Sequence, residues 1–405
     1  MTEFYWFGVR NRKQSLGGPR AHLGAAGDSR MYHTDNYKNN ITGRSILDIL
    51  TPDLVVMEEA FNKNMAHFRS IVSNRISHRP HCKMHKSSII AQKQLKEGNS
   101  KGVCCQTLSE AEVLSENGIK DIFITNQIVN KNKINILSEL NKYSYIKICV
   151  DNANNIKDIN EISKNKGIRI DLMIEINCGG GRCGVNSYDE FHGQYKLIEE
   201  MEHVNFKGVQ AYNGSSQHVY EREERHRESE RTYSMIREYL RCLDKENHED
   251  IEISGGGTGT LEFDIESGLF TETQAGSYLF MDMDYARVAG DSEKGVGGFD
   301  NSLFVITSVI SKPSPEIAVC DAGLKSHSVD SGYPLVHGDT GLTVIGVSDN
   351  HCVVKDESNS LNINDRILLI PGHCDPTCNL YDRYLIINND AVSDIWDIDA
   401  RGRNI

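Results

Sequence analysis

From about residue 51 the chain alternates short apolar runs with longer stretches that are apolar on one face only. The runs lie at 79–85 (RPHCKMH), 102–106 (GVCCQ), 121–126 (DIFITN), 145–152 (YIKICVDN), 170–177 (IDLMIEIN), 206–213 (FKGVQAYN), 250–257 (DIEISGGG) and 271–280 (TETQAGSYLF). Runs of this length predict β-strands, and the amphipathic stretches between them predict helices. In one of these, SEAEVLSENG, the spacing predicts a capping box from Ser109 and Glu112 and a stop at Gly118. Eight strands with helices between them predict an α/β fold, a (β/α)8 TIM barrel rather than an open doubly wound sheet. The strands end on polar or glycine-rich sequence (CQT, ITNQ, CVDN, INCGGGR, AYNG, SGGGTG, QAGSY). In a barrel such ends gather on one face, where ligands bind.

The flanks have a different texture. Residues 1–45, with SLGGPRAHLGAAGDSR and NYKNN, show little apolar periodicity and are expected to form a flexible extension. After about residue 290 come β-branched runs broken by Gly, Pro, Asn and Asp (SLFVITSVISKPSPEIAVCDAG, TGLTVIGVSDNHCVVKD, RYLIINNDAVSDIWDI), the pattern of an antiparallel β domain. The expected layout is an extension at 1–45, a barrel at 46–290 and a β domain at 291–405.

Composition narrows the class of partner. Among 405 residues, 44 Lys and Arg stand against 57 Asp and Glu, a net charge of −13, which argues against nucleic acid or an anionic membrane and for a small-molecule enzyme. The 11 cysteines include no CxxC pairs spaced for zinc and read as reduced thiols of a cytoplasmic protein. No apolar run approaches the ~18 residues of a membrane span, and no secretory signal is evident; the Arg-containing first stretch leaves organellar import open.

Three places carry candidate chemistry. RPHCKMHKS sets Lys83 among two histidines and Lys86, so it is either an exposed basic turn or an amine whose pKa is lowered by burial and neighbouring cations for imine formation. On a strand, His81 and His85 would share the side of Lys83, tuning the amine or meeting a substrate carboxylate. EISGGGTGT and QAGSY end the last two strands, where paired loops of a barrel often bind phosphate. A phosphate cradle facing a lysine points to pyridoxal phosphate. In PGHCDPTC, His373 and Asp375 would face one way on an extended segment and Cys374 the other, a donor pair for Mg²⁺ or Mn²⁺, whereas a thiolate would favour zinc. The same residues also fit a simple proline turn.

Taken together and in order, RPHCKMHKS, INCGGGRCGV, GGGTGT, QAGSYLFMDMDY, CDAGLKSHSVDSG and PGHCDPTCNLYD resemble the alanine-racemase-like pyridoxal phosphate enzymes, in the branch holding D-threonine aldolase, D-serine dehydratase and 3-hydroxy-D-aspartate aldolase. QAGSYLFMDMDY and GLKSHSVDSG look closest to the 3-hydroxy-D-aspartate aldolases. The resemblance runs from about Thr51 to the C-terminus. It implies that Lys83 binds the cofactor as an imine and that Arg182 hydrogen bonds the ring oxygen. Gly257, Thr258, Gly276, Ser277 and Tyr278 would bind phosphate, while Gln106 and Tyr212 line the ring pocket. His218, in the loop after AYNG, is a candidate base.

The implied reaction is retro-aldol cleavage of a D-β-hydroxy-α-amino acid, with 3-hydroxy-D-aspartate giving glycine and glyoxylate, by a homodimer. D-threonine cleavage, or dehydration of D-serine or 3-hydroxyaspartate, is the alternative within the branch. Aldolases there tend to carry HxD and dehydratases HxC. A racemase has no need of a metal beside a β-hydroxyl, and a non-enzymatic pyridoxal phosphate carrier has no need of the HCD segment.

Overall fold

The computed structural model describes residues 40–243, 251–290, 295–338 and 340–405. They divide into two compact units, each built from separated stretches of chain: residues up to 59 with 303–373 and 383–396, and residues 60–302 with 374–382 and 397–405.

The second unit is a parallel barrel. Its strands are Ser77–His78, Val103–Cys105, Asp121–Gln127, Tyr145–Val150, Ile170–Glu175, Val204–Ala211, Glu252–Gly255 and Glu272–Thr273, and from the second onward successive strands pair in parallel. The last pairs the first through Ser77↔Glu272 and His78↔Thr273. The first and second are joined by Lys101 N–H to His78 O and Cys104 N–H to Pro80 O, each 2.8 Å, which closes the ring. Helices Ser88–Lys96, Leu108–Glu116, Lys131–Leu140, Ala153–Lys166, Tyr188–Glu199, Arg222–Tyr239 and Leu261–Glu266 fill the gaps between strands. Polar side chains cap many of them, Ser87, Asn130, Asn152 and Ser187 among them, each accepting from a first-turn N–H.

The period of two along the strands sorts residues between the two faces of the sheet. Ile122, Ile124, Ile146, Ile148, Val150, Leu172 and Ile174 belong to one extensive apolar cluster, with Leu114, Leu137 and Ile156 from the helices. The alternate residues Cys104, Phe123, Cys149 and Met173 form a separate cluster. Buried charges sit with the alternate set. Arg79 Nη1 lies 2.6 Å from Asp121, Arg79 Nε lies 3.0 Å from Glu272, and Lys147 pairs with Glu252 and Glu272.

The other unit is an antiparallel sheet around the long strand Leu303–Ser314, which pairs with Ile317–Cys320, Arg366–Ile370 and Asp53–Met57. Arg383–Asn388 runs parallel to Asp53–Met57, while Leu342–Val347 and Cys352–Asp356 extend the sheet at the far side of Ile317–Cys320. No helix among the described residues is long and apolar enough to cross a membrane.

Several expectations change here. Consecutive blocks do not describe the chain: the run DLVVM at 53–57 completes the antiparallel sheet, and residues 374–382 and 397–405 return to the barrel unit. Of the expected extension at 1–45, residues 1–39 lie outside the described residues, and Ser45 bridges to Ala391. The expected strand at 79–85 is a 3-10 helix, Cys82–Met84, because Pro80 has no N–H for a ladder. At 271–280 only Glu272–Thr273 is strand, and Ser277–Leu279 is again 3-10. The capping box is formed by Thr107 and Glu110 rather than Ser109 and Glu112, while Gly118 does take the positive φ (85°) of a helix stop.

Candidate active site

Lys83 is presented by the short 3-10 turn that follows the first barrel strand. His81 caps this turn, its Nδ1 accepting from Lys83 N–H at 3.3 Å, and Cys82 and Met84 on either side are buried. The Lys83 Nζ stands 5.4 Å from the centroid of the Tyr212 ring, and the Arg182 guanidinium stands 5.6 Å from the same ring. Tyr212 directly follows the sixth strand, and Arg182 lies in the glycine loop after the fifth. That loop is shaped by Asn177, which accepts from the N–H groups of Gly179 and Gly181.

The electrostatics of Lys83 run opposite to the expectation from its neighbours in sequence. Tyr212 holds its pKa above the ordinary lysine value, burial opposes, Asp375 and Glu110 add to the rise and Arg182 works against it. The two histidines are also not beside the amine as strand partners. His81 Nε2 pairs with Thr125 Oγ1 at 2.9 Å, and His85 Nε2 with Gln94 Oε1 at 3.2 Å while its Nδ1 accepts from Ser87 N–H. Burial keeps both neutral, pushing His85 down to about 3 and His81 well below its usual value. They brace the turn. Lys86 is committed too, paired with the buried Glu110, whose carboxylate also takes the N–H groups of Gln106 and Thr107. The Gln106 amide is thereby set beside Thr125.

The loops after the seventh and eighth strands are stitched to each other, Tyr278 N–H donating to Thr258 Oγ1 at 3.0 Å. Backbone must approach closely here: a Cβ on Gly276 would meet His81 O at 2.9 Å, and one on Gly257 would meet Gln217 Oε1 at 2.5 Å. Buried Asp264 braces the first loop by accepting from Gly257 N–H, Thr260 and Tyr233. Among the described residues nothing accepts from the N–H groups of Thr258, Gly276 and Ser277. Those donors and the Ser277 and Thr258 hydroxyls suit a phosphate. The Tyr278 side chain corrects its expected role. Its ring stacks on Phe68 at 3.8 Å, its hydroxyl accepts from Gln94 and its N–H is given to Thr258, so the residue braces the loop.

After the sixth strand, the 3-10 turn Ser215–His218 separates two roles. Gln217 is buried and structural, donating to Thr260 Oγ1 and accepting from Gly259 N–H. His218 stays partly exposed, with its Nδ1 3.1 Å from Asp284 and its ring against Tyr285. Tyr285 in turn hydrogen bonds Ser277 and feels both Tyr212 and Asp375. Asp284 and Tyr285 were not singled out from sequence, although both stand in the quoted MDMDY, because their contacts with His218 join segments far apart in the chain.

The HCD segment is not extended. A helix, Cys374–Cys378, begins at Cys374 and packs against the Lys83 turn, so Asp375 lies in its first turn within the barrel unit. Cys374 is buried, its N–H donating to Asp282 at 2.8 Å and its thiol directed at Met281 O. His373 belongs to the antiparallel unit, where its Nδ1 donates to Asp330 at 2.8 Å. A carboxylate on Nδ1 fixes the tautomer with the proton on that nitrogen. Asp330 is a third residue missed, because the pairing joins segments far apart in the chain.

A barrel that presents a lysine after its first strand to glycine-rich loops after its last two is the frame of an enzyme holding a phosphate-bearing cofactor by an amine. Residues 56–284 match the family described as alanine racemase, N-terminal domain, and residues 302–387 match the putative serine dehydratase domain. The chain belongs to the alanine-racemase-like, fold-type III pyridoxal phosphate family. It is 39% identical to the 3-hydroxy-D-aspartate aldolase of Paracoccus denitrificans (strain Pd 1222), over 90% of this chain and 95% of that one. It is 38% identical to the D-threonine aldolase of Arthrobacter sp, over 89% and 95%. Among solved structures, D-threonine aldolase from Filomicrobium marinum superposes with a TM-score of 0.86 at 34% identity, covering 90% of this chain and 99% of that one.

Proposed function

We propose that the protein is a pyridoxal phosphate- and divalent metal-dependent aldolase that cleaves D-β-hydroxy-α-amino acids, with 3-hydroxy-D-aspartate giving glycine and glyoxylate. The observation that carries the choice within the family is the fate of Cys374: its sulfur is buried against Met281, while Asp375 reaches the environment of Lys83. The donors on offer are then an imidazole and a carboxylate, which suit Mg²⁺ or Mn²⁺ retaining several waters. A thiolate site would suit zinc instead.

When bound, pyridoxal phosphate supplies the electron sink for the Cα–Cβ bonding pair, and a divalent ion lowers the pKa of the substrate β-hydroxyl. Lys83 would hold the cofactor covalently, Thr258, Gly276 and Ser277 its phosphate, and Arg182 its ring oxygen; Gln106 and Tyr212 would flank the ring. His373 and Asp375 would hold the ion. His218, oriented by Asp284, accepts the proton that leaves the β-hydroxyl. Tyr212 and Arg182 fix the ring plane, and so decide which Cα bond stands perpendicular to it. Loss of the hydroxyl proton then yields the aldehyde carbonyl, and Cα takes up a proton to become glycine.

A homodimer is part of the same reading, since closed two-fold dimers are the commonest assemblies. A cytoplasmic setting accords with 11 free cysteines. The deciding experiment incubates the protein with 3-hydroxy-D-aspartate, D-threonine and D-serine in the presence of magnesium or manganese and identifies products. Glyoxylate and glycine are expected from the first. Oxaloacetate and ammonia as main products would place the protein with the dehydratases, and no turnover of any substrate would leave a cofactor carrier.

A further inference from the structure

The antiparallel unit contains a group of reactive side chains that amino acid cleavage does not use. Strands Ile317–Cys320 and Cys352–Asp356 pair with Cys320 directly opposite Cys352. Both are buried and free, and their thiols are hydrogen bonded to each other. Opposed residues in an antiparallel pair stand about 4.5–5.5 Å apart at Cα, inside the range of roughly 4.4–6.8 Å that a disulfide spans.

The loop after Cys320 brings a third group. At Gly323 an added Cβ would meet Ser348 O at 2.3 Å and His351 N at 2.5 Å, so glycine is required for the loop to lie on the turn that precedes Cys352. Leu324 N–H and Lys325 N–H donate to Ser348 O and Asp349 O, and His327 N–H turns back to Gly323 O at 3.0 Å. His327 is thereby placed beside Cys352. Its side chain is wholly buried, and its ring meets the Cys352 thiol.

We propose that Cys320, Cys352 and His327 form a peroxide-reactive site whose product is a Cys320–Cys352 disulfide. Cys352 is the nucleophile, since its thiol is the one that meets the His327 ring, and Cys320, directly opposite on the paired strand, is the resolving thiol. His327 accepts the Cys352 proton. The thiolate attacks one oxygen of hydrogen peroxide, the O–O bond breaks, and the departing hydroxide takes the proton from His327 as water, leaving a sulfenic acid. Cys320 attacks that sulfur, the S–O bond breaks, and the second hydroxide leaves as water with the Cys320 proton. Two thiols are oxidised and one peroxide is reduced to two waters. Because both sulfurs are buried, the oxidant has to be small and uncharged, which favours hydrogen peroxide over a bulky disulfide.

The test treats the full-length, cofactor-loaded protein with one equivalent of hydrogen peroxide, blocks remaining thiols and maps unreduced peptides by mass spectrometry over time. A Cys320–Cys352 linked peptide that forms before any change at the less buried Cys183 and Cys242, and that dithiothreitol reverses, is the expected result. Cys320→Ser should stop at a sulfenic acid on Cys352 that dimedone traps. His327→Gln should slow linkage at least about tenfold, the factor for a tenfold loss of thiolate. Oxidation of Cys183 or Cys242 with Cys320 and Cys352 left reduced would overturn the proposal, and the wild-type map alone decides this if a variant fails to fold.

Discussion

Replacing Arg79 by methionine removes the cation at the centre of the barrel's buried charges at nearly unchanged length. Arg79 is wholly buried and holds Glu272, itself 1% exposed, at 3.0 Å and Asp121 at 2.6 Å. Burial pushes the Glu272 pKa up, but Arg79 first and then Lys147 and Ser254 outweigh it and bring the group from 4.5 to about 2. At about 1.36 kcal/mol per unit, that depression corresponds to roughly 3 kcal/mol of stability. In Arg79→Met, Glu272 keeps Lys147 at 3.5 Å and Ser254 at 2.6 Å, so part of this survives, but a carboxylate is left short of charge in a buried site. Breaking one partner of a buried pair costs about 3–5 kcal/mol, and the expected loss is therefore about 3 kcal/mol. The pH dependence has a definite sign: a carboxylate with a depressed folded pKa contributes fully above its unfolded value and loses that contribution as pH falls through the folded one. Urea unfolding followed by circular dichroism at neutral pH should show the full deficit. The gap between wild type and variant should narrow as pH is lowered from about 5 toward 3. A deficit under about 1 kcal/mol at neutral pH, or a gap that widens on acidification, would refute the reasoning.

The remaining predictions concern the site. Borohydride should fix the cofactor chromophore to Lys83, and Lys83→Ala should abolish both label and turnover; a label on Lys86 instead would contradict the ion pair assigned to that residue. His218→Asn should lower kcat by about 10²–10⁴ with KM nearly unchanged, and Asp284→Asn should cost about tenfold and shift the pH profile of kcat, because it acts through the histidine. Unchanged kcat in His218→Asn would remove it as the base. Chelation should abolish activity and magnesium or manganese restore it, and Asp330→Asn should raise the manganese concentration needed for binding about 10–100-fold, measured directly by titration of the ion.

Much of the barrel was legible in the chain. The runs at 121–126, 145–152 and 170–177 are strands close to where the pattern put them, because strands buried on both faces are apolar almost throughout. The lysine, the glycine loops and the HxD pair were legible as motifs, since each depends on residue types at fixed local spacing. Local spacing was ambiguous elsewhere. Thr107 with Glu110 and Ser109 with Glu112 fit a capping box equally, and the choice fell to Thr107 because the second strand ends at Cys105. The run DLVVM reads as a strand in either domain, and its partners Leu303–Ile306 and Leu385–Ile387 settle which. The residues flanking Lys83 turn to Thr125, Gln94 and Glu110, while the groups that raise its pKa, Tyr212 and Asp375, arrive from other loops. Tyr278 likewise became a packing residue through Phe68. Backbone periodicity and motif spacing are properties of neighbouring residues, whereas electrostatic environment and side-chain burial depend on distances across the fold, and those are established when the barrel closes and its loops meet.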